Sequence, residues 1–156
     1  MEIRLARVGD IPGLIELLKQ VGQIHHEIRP DIFRAGAQKY NEADLELLLK
    51  DPKRPIFVAV DEEKVLGHCF CELKITEAST VLLDSRSFYI HDLCVDENCR
   101  GQHVGKALYD HVCGYAREIG CDTITLNVWC GNESAMIFYE RQGMKPRNMH
   151  MEMKLY

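Results

Sequence analysis

Apolar positions along this chain switch between two spacings, and each switch marks an element. Ile3 and Leu5 alternate with Glu2 and Arg4, the period of a strand. From Ile11 the period lengthens. Ile11, Leu14, Ile15, Leu18 and Val21 share one helical face, with Asp10 placed to cap it and Pro12 in the first turn. Pro30 and Gly36 interrupt GQIHHEIRPDIFRAG, which reads as a loop with a frayed helical end. NEADLELLLKD predicts a short second helix, stopped by Pro52. PIFVAV and KVLGHCFCELKIT read as two strands joined by a tight turn over Asp61 to Lys64. EASTVLLDSR is a connector. SFYIHDLCV is a strand that carries polar groups at its middle.

The C-terminal part is more regular. HVGKALYDHVCGYAREIG predicts a helix with Val104, Leu108, Val112 and Tyr115 on one side and Gly120 at a left-handed cap. CDTITLNVW is a strand. NESAMIFYERQG is a helix running from an Asn132 cap to Gly143. NMHMEMKLY alternates again and predicts a last strand. The order is strand, two helices, three strands, helix, strand, helix, strand. That is an α/β fold, a mixed sheet with helices on its faces, expected as a single domain over 1–156. Residues 87–128 should form a right-handed crossover joining two parallel strands.

Composition narrows the function classes. The hydrophobic fraction of 46% and charged fraction of 28% fit an ordinary globular chain. No apolar run reaches membrane-spanning length, and MEIRLARVGD lacks the apolar centre of a leader, so a cytoplasmic protein with no membrane partner is expected. A net charge of -5 argues against nucleic-acid binding. Seven cysteines occur without a C-x-x-C pair, and His68, His111 and His150 lack ligand spacing. Free thiols and no metal are expected.

Candidate chemistry starts at the basic, glycine-bearing stretch DENCRGQHVGKAL. Gly101 and Gly105 permit close backbone approach. The stretch opens directly into a helix, whose first amides lack partners and whose dipole is positive there. Arg100, Lys106 and His103 add positive charge. Such a junction either binds a phosphate or is a plain strand-to-helix turn. It is neither G-x-G-x-x-G nor a P-loop.

Two linked motifs decide between these readings. Arg100-Gly101-Gln102-His103-Val104-Gly105 resembles the coenzyme A loop of the GNAT superfamily of N-acetyltransferases, whose pattern is Arg/Gln-x-x-Gly-x-Gly/Ala. Downstream, LNVWCGNESAMIFYERQGM supplies Asn132, Ala135 and Tyr139 at that family's spacing. The resemblance covers Phe88 to Tyr156, and the N-terminal half matches in element order. The likeness runs to the diamine acetyltransferase branch, with His91 standing where that branch has a glutamate. His103 departs from the pattern by replacing a glycine.

The resemblance implies a GNAT-like, mostly antiparallel sheet whose central parallel pair splays to hold acetyl-coenzyme A (acetyl-CoA) as co-substrate. Backbone groups of Leu93 and Val95 would pair with the pantetheine arm. Arg100, Gly101, Gln102, His103, Val104, Gly105 and Lys106 would hold the pyrophosphate, and Asn132, Ala135 and Tyr139 would border the arm. The resemblance implies a small primary amine such as a polyamine as acceptor, and a homodimer, which the family often forms. Alternatives are a protein N-terminus or lysine as acceptor, and a coenzyme A-binding module without catalysis.

Acetyl transfer to an amine needs a neutral nucleophile, because alkyl amines titrate near ~10. A base must take that proton, and a donor must meet the leaving thiolate. Tyr139 is the candidate acid, or else one residue of a buried stripe with Ala135 and Phe138. His91 is the candidate base, with Asp92 orienting it or binding a cationic amine, or else both are polar residues at a strand edge. Glu72 is a further candidate. Asn127 sits where the family's protein N-terminal acetyltransferases place an acid. A covalent acyl-sulfur step at Cys94 has only apolar strand neighbours to support it. His25, His26, Glu27 and Asp31 fall in the region where the family forms its acceptor site.

Overall fold

The computed structural model describes residues 1–156. Five strands form one sheet in sequence order: β1 (Glu2–Leu5), β2 (Ile56–Asp61), β3 (Lys64–Thr76), β4 (Ser85–Val95) and β5 (Thr123–Leu126). The first four pair antiparallel, and β4 with β5 parallel, from Ser87 opposite Thr123 to Ile90 opposite Leu126. The expected mixed sheet with one parallel pair is therefore present. No helix is long and apolar enough to cross a membrane.

Helices cover both faces. α1 (Ile11–Ile28) and α2 (Glu42–Leu48) lie on one side, where Leu14, Leu17, Leu18 and Leu45 bury against Val58, Val60 and Phe70. α3 (Val104–Glu118) lies on the other, with Leu108, Val112 and Ala116 against Phe57, Cys69, Phe88 and Ile90. α4 (Glu133–Arg141) follows β5 and adds Phe138 and Tyr139 to the edge of that second core.

Three expectations need correction. α1 does not fray at Gly22 but continues through Ile28. A Cβ at Gly22 would sit 2.7 Å from the carbonyl oxygen of Ala37, so the glycine serves a close passage of chain rather than a break. Asp10 precedes α1 but makes no side-chain cap. Its carboxylate instead accepts from both terminal nitrogens of Arg4 (2.7 and 3.0 Å) and from the Arg7 amide (2.7 Å). The last strand expected in NMHMEMKLY does not form; Met144 to Tyr156 carry no secondary structure.

One irregularity positions the functional site. Phe70 faces Asp92 and Cys71 faces Ile90, which leaves His91 as an extra residue in β4. This β-bulge exchanges the faces of the strand. Before it, Phe88 and Ile90 enter the α3 core; after it, Cys94 enters the α1 core while Leu93 and Val95 turn toward α3.

Candidate active site

Pairing between β4 and β5 ends at Ile90 and Leu126, whereas β4 runs on to Val95 against β3. From the bulge onward, the β5-facing edge of β4 has no strand beside it. Free backbone groups at Leu93 and Val95 thus line a wedge that an extended ligand can enter as an added strand.

The wedge leads to the start of α3. No backbone hydrogen bond leaves the amides of Arg100 through Lys106. Gly101 (φ 75°) and His103 (φ 62°) both adopt left-handed backbone, which turns successive amides toward a common centre. His103 is exposed, so its imidazole points out of the loop rather than plugging it. Gly105 packs closely: a Cβ there would meet Val95 Cγ2 at 3.4 Å and Phe138 beyond it. Arg100 and Lys106 are exposed beside these donors. Together these features fit a pyrophosphate at a helix N-terminus. Asn132 caps α4 by accepting from the Ala135 amide (3.3 Å). Its amide nitrogen remains free to donate.

Tyr139 lies against Phe138 and Tyr109, with ring centroids 5.1 and 6.2 Å away. Burial raises its phenol well above the usual range, and nearby Cys69, Tyr109, Asp92 and Cys71 push the same way. The group holds its proton at neutral pH.

On the other face of the sheet, the His91 imidazole Nε2 donates to Glu72 on β3 at 2.5 Å. Tyr89 packs edge-on against His91, at 4.7 Å. Asp92 is buried and is not the partner of His91; its carboxylate accepts from the Lys39 ammonium at 2.7 Å. Glu72, rather than Asp92, therefore orients the imidazole. Sequence spacing hides both pairs, because one depends on strand register and the other joins residues 53 positions apart.

His25 is the one residue of the expected acceptor cluster that turns toward this carboxylate. Burial lowers its pKa, opposed by Asp92 and aided by Lys39. His26 instead meets the Phe33 carbonyl at 2.7 Å, Glu27 accepts from Gln23, and Asp31 pairs with Arg29. His25 stacks near Phe33 (4.9 Å), which meets Trp129 edge-on (5.1 Å), and Arg29 covers Trp129. This aromatic wall joins the end of α1 to the loop after β5. Of its members, His25 alone drew attention in the sequence.

Cys94 is buried, its thiol directed to the Leu17 carbonyl, and burial pushes it up to about 11. A thiol so placed is a poor nucleophile. Asn127 is exposed just past β5.

Comparison with known proteins agrees with this geometry. Residues 19–144 match the model of the Acetyltransferase (GNAT) family. The chain is 33% identical over 67 residues to glucosamine 6-phosphate N-acetyltransferase of Trypanosoma brucei brucei, and 30% identical over 87 residues to N-alpha-acetyltransferase 30 of Schizosaccharomyces pombe. Those stretches cover 43% and 56% of this chain, and span 44% and 55% of the two relatives. Among solved structures, a point mutant of the BH1408 protein of Bacillus halodurans superposes with a TM-score of 0.95 at 32% identity, covering 100% of both chains. An aminoglycoside acetyltransferase from an uncultured soil metagenomic sample shares the fold, with a TM-score of 0.74 at 22% identity over 99% of this chain and 96% of that one.

Proposed function

Because the chain belongs to the GNAT family of acetyltransferases, we propose that it moves an acetyl group from acetyl-CoA directly to a primary amine, most simply that of a small molecule such as a polyamine. The observation that carries this reading is the wedge itself: β4 loses its β5 partner at the bulge, and the free edge leads to unpaired amides at the start of α3.

Acetyl-CoA supplies an activated thioester carbonyl and a thiolate leaving group. The chain's own residues do the rest. Amides from Gly101 to Lys106, with Arg100, hold the diphosphate. The Leu93 and Val95 backbone aligns the arm, and the Val95 amide is placed to stabilise the oxyanion. Glu72 accepts from Nε2–H of His91, which fixes the tautomer and leaves Nδ1 to take a proton from the incoming amine. Tyr139 donates toward the departing sulfur. Asp92 and Glu72 give the acceptor side negative charge suited to a cationic amine, with Lys39 limiting it. Asn132, through its free amide nitrogen, and Ala135 border the arm from α4.

Acetyl-CoA should raise the melting temperature, and a panel of polyamines, aminoglycosides, amino sugars and peptide N-termini should reveal turnover by thiol release. Turnover with peptides alone would move the acceptor to proteins. Stabilisation without turnover on any amine would leave a coenzyme A-binding module. Glu72→Gln is expected to lower kcat/KM about tenfold, by loosening the imidazole's orientation, without weakening coenzyme binding. Unchanged kinetics would remove the pair from the mechanism.

A further inference from the structure

One of the chain's own primary amines stands on the acceptor side of the site. Lys39, in the connection between α1 and α2, holds its ammonium 2.7 Å from the Asp92 carboxylate. Asp92 is the first residue past the bulge and immediately precedes Leu93. Packing on both sides of Lys39 aims it there. The Ala37 carbonyl lies close against Gly22. Tyr40 stacks on Phe70 (5.7 Å), the residue opposite Asp92 in β3, and its hydroxyl accepts from Arg54 at 3.3 Å. These contacts hold the loop, so the ion pair is not its only anchor. The Lys39 stem is long and flexible, which lets the nitrogen leave the carboxylate once it is neutral.

The direction of the co-substrate brings the other reactant to the same place. With the diphosphate at the start of α3 and the arm along Val95 and Leu93, the acyl end falls at the bulge, next to Asp92. The Asp92 charge is felt at the Tyr139 phenol, and at His25 and His68. The Lys39 charge is felt at His25, His68 and Tyr89. Both charges thus sit within one small region of the sheet.

We propose that Lys39 is a self-acetylation site, at which the chain moves an acetyl group from acetyl-CoA to its own Lys39 Nζ. The inference rests on the acetyl-transfer reading. The ammonium gives up one proton to solvent by way of His91. The nitrogen lone pair then forms the C–N bond, and the C–S bond breaks with its electron pair on sulfur. The nitrogen loses a second proton as the amide forms, and the sulfur gains one from Tyr139. The sum is an acetamide, a free thiol and one released proton. Holding both reactants on one chain makes the step unimolecular. The product is neutral, so it no longer offsets the Asp92 charge.

The full chain, incubated with acetyl-CoA and no added amine, should release one thiol per chain and gain the mass of one acetyl group. Trypsin should then no longer cut after Lys39; an unmodified Lys39 overturns the proposal. Lys19 and Lys154 are also ion-paired and are more exposed, at 52% and 70% against 44%, so indiscriminate chemistry would reach them first. Modification of these lysines at the same rate overturns the proposal as well. The rate per chain should not depend on protein concentration, and a rate that rises with it overturns transfer within one chain. Lys39→Arg keeps a cation against Asp92 and should lose the thiol release seen without amine; release that persists overturns the proposal. Turnover of added amines beside an unmodified Lys39 sinks this inference and leaves the proposed function standing. Absence of thiol release by either route sinks both.

Discussion

Tyr139→Phe is expected to lower kcat about 100-fold, the usual scale for losing a general acid, while affinity for acetyl-CoA hardly changes. The substitution removes one hydroxyl and keeps the ring that packs on Phe138 and Tyr109. In the proposed mechanism coenzyme binding rests elsewhere, on the amides of Gly101 to Lys106. Because burial holds the phenol protonated, the native group enters the reaction with a proton to share as charge builds on the sulfur. Pre-steady-state thiol release, with calorimetric titration of coenzyme binding, separates the two effects. Full turnover in the variant would exclude Tyr139 as the donor, and a large loss of affinity would make it a packing residue.

A second large effect concerns stability against pH. His68 on β3 is fully buried, and neither ring nitrogen has a hydrogen-bond partner. Burial lowers its pKa to about 4, although Asp92 opposes the shift. The unfolded chain takes up this proton near 6.5 and the folded one only near 4. The neutral imidazole's contribution is therefore fully present above 6.5 and is lost as pH falls from 6.5 toward 4. The loss should be on the order of 3 kcal/mol, at about 1.4 kcal/mol per unit. Denaturant titrations across this window should show it, and His68→Leu should flatten it. An equal slope in that variant would assign the acid sensitivity to other groups. Asp10 acts lower on the scale. Burial alone would raise its carboxyl, but the hydrogen bonds from Arg4 and Arg7, with the charge of Arg4, outweigh it and hold it below 3.8. Its contribution is lost only as pH falls below that value.

The parts legible in the sequence are those with local causes. The loop into α3, the Asn132 cap and the Gly143 stop are each written within a few adjacent residues. The β2–β3 hairpin and the parallel pair followed from alternation and helix spacing. What escaped depends on distant chain. Glu72 reaches His91 only through strand register and a bulge that no period announces. Lys39 reaches Asp92 across the whole α1 side. The segment from Gly22 reads as a loop with a frayed helical end, yet α1 runs through it to Ile28, with Ala37 packed close to Gly22. The alternation of the terminal segment was legible, but Met144 to Tyr156 form no strand.

The extra residue at His91 has a kinetic consequence. In the proposed mechanism it sets the thioester's backbone rail, Leu93 and Val95, at the open edge of β4 and the amine's charged neighbours on a face of the sheet. Donor and acceptor can then occupy the protein together and meet across β4, with Cys94 turned away from both. Initial velocities measured while both concentrations vary should trace intersecting double-reciprocal lines, the signature of a ternary complex. Parallel lines would mean that the acetyl group pauses on the protein.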